Sequence, residues 1–331
     1  MKFRTFPGTD ITVSEIGFGN WTVSTGWWGN YTDEEAVRLH QKAFDLGITF
    51  FDTADGYGNG RAEAQIAMAF PGKREQIQIA TKFGYNFYEH GSERRGQQEI
   101  PHDFSPAFVR FALEKSLERL NTDYIDLYQL HNPRMTHIES DDLFALLEEF
   151  VAEGKVRGYG VALGPAIGWR EEGLRAMEIR PNLALVQMIY NILEQSPGRE
   201  FCELGRETNT GQLIRVTHSS GMLEGKYTED TVFPANDHRR HRPRKWLVEG
   251  VKKVERLRFL EEPGRTLGQA ALQWLLADPI VVSCLPNIYD EEQLEEFAKA
   301  PSTPPLSDEE LGRVQELYES NFGLMKEEPA A

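Results

Sequence analysis

The chain has 331 residues, a formal charge of -16, 40% hydrophobic and 11% aromatic residues, a composition that can bury a large core and is neither low-complexity nor disordered. So acidic a protein lacks the basic face that nucleic acid or an anionic membrane surface demands, and its two cysteines, Cys202 and Cys284, stand outside any CxxC pair, against a disulfide framework or thiolate metal site and for a reducing cytoplasm. The N-terminus lacks an apolar stretch of signal-peptide length and no run of about 18 apolar residues occurs, so neither secretion nor membrane spanning is expected.

KFRTF, a turn at PGTD and ITVS read as a hairpin over residues 1–15 that closes one end of a domain. From there short apolar runs alternate with amphipathic stretches: EIGFG before DEEAVRLHQKAFDLG, ITFFDTA before RAEAQIAMAF, IQIATKFG before PAFVRFALEKSLERL, and YIDLYQLH before DDLFALLEEFVAEG. The rhythm continues with KVRGYGVA, LALVQMIY, QLIRVTHS and IVVSCLP and their helical neighbours. Eight such units predict an α/β fold, a closed (β/α)8 TIM barrel built by residues 1–331 as a single domain. The doubly wound alternative lacks its GxGxxG, because GFGNW at residues 17–21 stops short of the pattern. Insertions at 85–104, after the third strand, and at the basic 227–245, after the seventh, are expected to be long loops at the barrel mouth. A further helix pair, DEEQLEEFAK and SDEELGRVQELYE, follows the eighth strand, and residues 325–331 are expected to form a disordered tail.

The stretch ITFFDTADGYGNG carries the first candidate chemistry, since it runs a strand buried on both faces into Asp52 and then Tyr57. Alone, Asp52 could simply cap a turn. In a barrel, however, the carboxyl ends of the strands meet at one mouth, where active sites lie. Strand three brings Lys82 there in ATKFG and strand four brings His131 in LYQLHNP. A buried lysine needs a carboxylate, and Asp52 can supply it.

These motifs resemble the aldo-keto reductase family, whose Asp, Tyr, Lys and His match Asp52, Tyr57, Lys82 and His131. The resemblance covers nearly the whole chain through GFGNW, FDTADGYGNG, ATKFG, LYQLHNP, VQMIYNIL and GMLEGKY, in that order. It implies an oxidoreductase passing hydride between NADP(H) or NAD(H) and an aldehyde, ketone or sugar carbonyl, with Tyr57 as general acid and base, Lys82 and Asp52 supporting it, and His131 orienting the substrate. It also implies cofactor contacts from Gly19, Asn20 and Trp21, and from Asp52, Asn132 and Gln187 towards the nicotinamide. His218 stands where an aromatic ring stacks on the nicotinamide. The segment HSSGMLEGK, with Ser219, Ser220, Gly221, Leu223, Gly225 and Lys226, would wrap the pyrophosphate through the backbone amides of Ser220, Gly221 and Leu223. Pro286, Asn287, Gln293 and Glu296 would meet the adenosine end. No metal is implied, and a metal-dependent hydrolase or isomerase lacks a ligand cluster.

Two departures from the family pattern stand out. The Ser-Asn pair after the fifth strand is Ala162-Leu163, so one polar clamp is missing, and the segment after strand eight, LPNIYDEEQLEE, is acidic where a base for the 2′-phosphate is usual. That leaves NAD(H) unusually competitive, with any NADP(H) preference expected to rest on Arg239, Arg240, Arg242 and Arg244. A cofactor-binding regulatory subunit with negligible turnover is the rival reading, which the complete tetrad opposes. Trp21, Trp27, Trp28, Tyr85 and Phe87 are candidates for the substrate wall. The substrate itself and the oligomeric state stay open.

Overall fold

The structure is a computed structural model that describes residues 1–91, 99–164, 169–234 and 237–324. Residues 92–98 of the first long loop, 235 and 236 of the second, and the tail 325–331 lie outside the described residues.

Eight parallel strands run in chain order around the sheet: β3 (Phe18–Gly19), β4 (Phe50–Asp52), β5 (Gln78–Phe83), β6 (Ile125–His131), β7 (Val156–Ala162), β8 (Leu185–Ile189), β9 (Gly211–Arg215) and β10 (Val281–Leu285). The ends meet. Ile16 bridges Cys284 in parallel, Gly17 N–H donates to the Cys284 carbonyl at 2.9 Å, and Cys284 N–H donates to Glu15 at 2.9 Å, which closes the barrel. Ahead of it, β1 (Phe3–Thr5) and β2 (Thr12–Ser14) pair antiparallel.

The strands read as nearly continuous apolar runs because both faces are covered. Phe51, Ile79, Phe83, Tyr128, Leu130, Val186, Met188 and Ile214 face outward into the core shared with the helices. Phe50, Ala80, Leu127, Leu185 and Leu213 fill the inside with Phe6, Ile11 and Val13 from the hairpin segment, which therefore plugs one end of the barrel. Side chains on a strand repeat every second residue. Two positions beyond each of those interior residues stand Asp52, Lys82, Gln129, Gln187 and Arg215, so a polar layer sits directly above an apolar one.

Helices start where short polar side chains can take up free amides. Thr32, Ser105, Ser140, Thr266, Asp290 and Ser307 each cap one, and Thr32, Thr266 and Ser307 form reciprocal capping boxes. Two helices, Arg244–Arg256 and Leu267–Leu276, separate β9 from β10. Among the described residues no helix is long and apolar enough to cross a membrane.

Candidate active site

The polar layer is built around one buried ion pair. Lys82 Nζ donates to Asp52 Oδ1 at 2.6 Å and to the Thr53 carbonyl at 2.6 Å, with Lys82 1% and Asp52 4% exposed. The second carboxylate oxygen accepts from Gln187 Nε2 at 2.8 Å and Gln129 Nε2 at 3.1 Å. A buried charge pair is tolerable only when its remaining hydrogen-bonding groups find partners, and the two glutamines supply them for Asp52 while the Thr53 carbonyl takes a second Lys82 proton.

Tyr57 reaches the same place from the loop after β4. Its amide donates to Ala54 at 3.1 Å, and the helix Arg61–Ala69 begins just beyond at Gly60, whose φ of +93° and close approach to Arg119 exclude a side chain. Glu63 on that helix accepts from Thr81 Oγ1 and from Arg119 Nε, each at 2.6 Å, and ties the loop to β5 and to the helix Pro106–Leu120. The Lys82 ammonium lies 5.1 Å from the centre of the Tyr57 ring, and the rings of Tyr57 and His131 meet edge to face at 5.6 Å. The four residues singled out in the sequence thus surround one point.

They open on a cavity of about 280 Å³, also lined by Gly19, Trp21, Trp27, Trp28, Tyr85, Glu99, Asn132, Gln187, Arg215, Ser220, Pro286 and Asn287. On one side His238 packs among Trp21, Trp27 and Trp28, and its amide donates to the Trp27 carbonyl at 3.0 Å. Opposite, Tyr85 donates to Glu99 at 2.6 Å, Asn132 Nδ2 donates to the Tyr85 hydroxyl at 2.6 Å, and Arg134 pairs with Glu99 at 2.6 Å. Burial opposes the charge on Glu99, yet those partners hold its pKa below the usual value.

Several expected cofactor contacts are placed otherwise. Asn20 is buried, with its amide donating to the Asp52 carbonyl at 3.1 Å and its oxygen against His40. Asn132 and Gln187 both line the cavity, with Asn132 Nδ2 donating to Tyr85 and Gln187 Nε2 to Asp52 and Gln129. His218 does not line the cavity at all: it stacks on Phe297 at 4.3 Å and its Nε2 meets the Gly268 carbonyl at 2.9 Å, because the turn at 216–221 sends it into the wall. Burial pushes its pKa down to about 4.

The turn itself suits an anion. Val216, Ser219, Ser220 and Gly221 all have positive φ, and a Cβ on Gly221 would come within 2.2 Å of the Tyr227 hydroxyl. Ser219 Oγ donates to Glu194 at 3.1 Å. The amides of Ser220 and Gly221 have no backbone acceptor among the described residues, whereas Leu223 N–H already donates to His218 at 3.0 Å. Successive free amides on such a turn form an anion nest, and of the three expected amides those of Ser220 and Gly221 are free of a backbone acceptor among the described residues while that of Leu223 is not.

Of the residues expected at the adenosine end, Pro286 and Asn287 line the cavity, whereas Gln293 and Glu296 do not. Gln293 is 2% exposed, donating to Glu224 at 3.0 Å and accepting from the Tyr289 amide at 3.1 Å, and Glu296 accepts from Thr266 at 2.6 Å. Lys226 sits between Glu224 at 3.8 Å and Glu296 at 3.7 Å, and Gly225, at φ +72°, leaves room for Arg258. Of the arginines in the second long loop, Arg239 is held by Asp237 and lies over Trp28 at 4.5 Å, while Arg242 lines the cavity and donates to Ser220 Oγ at 3.3 Å. Arg239 is therefore part of the loop's own packing.

Sequence reasoning missed Gln129, Glu99 and Arg215. Both Gln129 and Arg215 follow from the two-residue strand period once a neighbour in the interior is known; Glu99 lies in a long insertion whose path no periodicity specifies.

Comparison with known proteins agrees with this geometry. Residues 15–319 match the sequence profile of the aldo/keto reductase family. The NADH-specific methylglyoxal reductase of Escherichia coli is 28% identical over 94% of this chain and 97% of its own, and the aldo-keto reductase yakc of Schizosaccharomyces pombe, named with NADP(+), is 31% identical over 86% and 83%. The glycerol dehydrogenase AKR11B4 from Gluconobacter oxydans superposes with a TM-score of 0.80 at 26% identity, covering 99% of both chains. With the barrel, the tetrad and the profile in agreement, the chain belongs to the aldo/keto reductase family and is an oxidoreductase that moves hydride between a nicotinamide dinucleotide, NAD(H) or NADP(H), and a carbonyl compound.

Proposed function

We propose that Tyr57 is the general acid of this enzyme in reduction and its general base in the reverse direction. The observation that carries the reading is the buried Lys82–Asp52 pair, hydrogen-bonded to Thr53, Gln129 and Gln187, beside the Tyr57 ring. When bound, the dinucleotide supplies the hydride. Tyr57 gives its phenolic proton to the carbonyl oxygen as negative charge develops there. An ordinary phenol, with a pKa near ~10, is a reluctant proton donor and acceptor at neutral pH, and the Lys82 ammonium favours the negative oxygen left behind. Asp52 holds that ammonium in place, and His131 orients the carbonyl oxygen towards Tyr57.

The substrate we propose is a small oxygenated aldehyde or ketone, of the size of a triose or a short sugar. Trp21, Trp27 and Trp28 offer an apolar face, while Glu99, Asn132 and Tyr85 offer a paired polar rim for hydroxyl groups. The names of the methylglyoxal reductase and the glycerol dehydrogenase favour the same class. The acidic adenosine end supports NAD(H) as a cofactor at least equal to NADP(H). We further propose a single-domain enzyme of a reducing cytoplasm, in line with two buried free cysteines.

Tyr57→Phe tests the central assignment. Carbonyl reduction should fall by roughly 10² to 10⁴, while titration of protein fluorescence with NADH or NADPH gives an affinity near that of the unmodified enzyme. A rate above about a tenth of the original, far outside the loss expected for a missing general acid, would overturn the role of Tyr57.

A further inference from the structure

Arg215 ends β9 and lines the cavity with Tyr57, Lys82 and His131. Its Nη2 donates to the carbonyls of Leu163 at 3.0 Å and Gly164 at 2.8 Å, immediately past β7. No carboxylate pairs with it among the described residues. Other half-buried or buried arginines, Arg4, Arg61, Arg74, Arg119, Arg157 and Arg265, each hold one. Taking a cation out of water without an anion is costly, and an arginine stays charged regardless. Burial pulls the pKa of Arg215 below the usual arginine value, and Tyr57, Asp52 and Tyr85 only partly offset it.

Around the cavity, Asp52 and Glu99 are the carboxylates and Lys82, Arg215 and Arg242 the cations, and Glu99 is paired with Arg134 at 2.6 Å. Lys82 consumes the Asp52 charge at 2.6 Å, so the charge of Arg215 is left over. The side chain is also held firmly. Val216, a β-branched residue, adopts φ +56°, a conformation that persists only where its surroundings enforce it. Arg215 reaches over the two carbonyls beside Ala162 and Leu163, the place where a polar side-chain clamp is missing, and its other N–H groups have no partner among the described residues.

We propose that Arg215 faces the nicotinamide of the bound dinucleotide, holding the carboxamide in place of the missing clamp and favouring the neutral, reduced ring over the cationic, oxidised one. The proposal rests on this cavity receiving the nicotinamide, as the general-acid role of Tyr57 also requires. It lets the enzyme retain the reduced cofactor and release the oxidised one, while making the bound reduced ring a weaker hydride donor. A guanidinium roughly 5 Å from a second positive charge in a partly desolvated site disfavours it by ten-fold or more on the order of magnitude.

The test is equilibrium binding of NADH, NAD+ and ADP-ribose to the wild type, Arg215→Met and Arg215→Lys, followed by protein fluorescence and calorimetry. The wild type should bind NADH at least about ten-fold more tightly than NAD+. Arg215→Met should narrow that ratio by about ten-fold and leave ADP-ribose, which has no nicotinamide, within about two-fold. Arg215→Lys keeps the charge but not the planar fork, so it should retain part of the ratio while losing NADH affinity. An unchanged NADH to NAD+ ratio in Arg215→Met, with ADP-ribose still bound, would overturn the proposal, most clearly if KM rose only for carbonyl substrates bearing a carboxylate, which would make Arg215 a substrate anchor. A wild type that binds ADP-ribose but discriminates neither nicotinamide form would sink it equally, while Tyr57→Phe would still report on the general acid.

Discussion

Asp52 is the residue on which the site balances, since Lys82, Gln129 and Gln187 all donate to it. Removing one member of a buried pair strands the other charge, at a cost of about 3–5 kcal/mol, whereas replacing both with apolar groups of similar size is often neutral. Asp52→Ala should therefore lower unfolding stability by about 3 kcal/mol and nearly abolish turnover, while Asp52→Leu with Lys82→Met should recover most of the stability and none of the activity. Urea unfolding beside a carbonyl-reduction assay separates the two effects. If Asp52→Ala were as stable as the wild type, the Lys82 ammonium would have to be held by Thr53 alone, and the account of the pair would fail.

At the scale of the elements, the loop after β9 packs against two other loops at the barrel mouth. His238 docks among the tryptophans, Arg239 lies over Trp28 and Phe233 at 4.5 and 4.9 Å, and Trp28 stacks on Tyr289. Three mouth loops are thus packed into one another, and Arg242 is the arginine of the loop after β9 that lines the cavity, beside Ser220. Because Ser220 belongs to the turn suited to the pyrophosphate, shared by both dinucleotides, Arg242→Ala should raise KM for NADH and NADPH by a similar factor, about ten-fold for a lost charged hydrogen bond. Their ratio should hold near or above unity in favour of NADH. Steady-state kinetics with both cofactors would contradict this if the mutation weakened NADPH alone or if the wild type strongly preferred NADPH. The eight strands were legible because burial on both faces writes continuous apolar runs, and Asp52, Lys82 and His131 because each interrupts such a run at its end. The direction of a loop side chain is written nowhere in a local pattern. His218 and Arg239 both carry the right chemistry for a cofactor contact, yet the left-handed turn before His218 and the aromatic partners of Arg239 are tertiary facts that turned them elsewhere.

For the whole molecule, the buried titratable groups set how stability changes with pH. Burial lowers the pKa of His40 to about 3 and of His218 to about 4. In the unfolded chain both titrate near ~6.5, so between there and ~4 the unfolded state binds protons that the folded state refuses, and stability falls with acid by about 1.4 kcal/mol per pH unit for each. Asp55 works in the opposite direction. It is fully buried, and burial together with the charge of Glu63 raises its pKa well above the ordinary carboxylate value, with Arg119, the Gly56 amide and Lys82 offsetting this only in part. Above ~4 the unfolded chain releases that proton while the folded protein keeps it, so this group costs stability as pH rises through its window and costs nothing once both states are protonated. Asp55→Asn, which keeps the shape and removes the proton, should therefore stabilise the protein at pH 8, less at pH 6, and leave it nearly unchanged near pH 4. Urea unfolding of both proteins at those three pH values measures the trend. A gain that stayed constant across the range would mean that Asp55 is not buried as a neutral acid, and a loss at pH 8 would mean that its carboxylate has a partner strong enough to reverse the effect of burial.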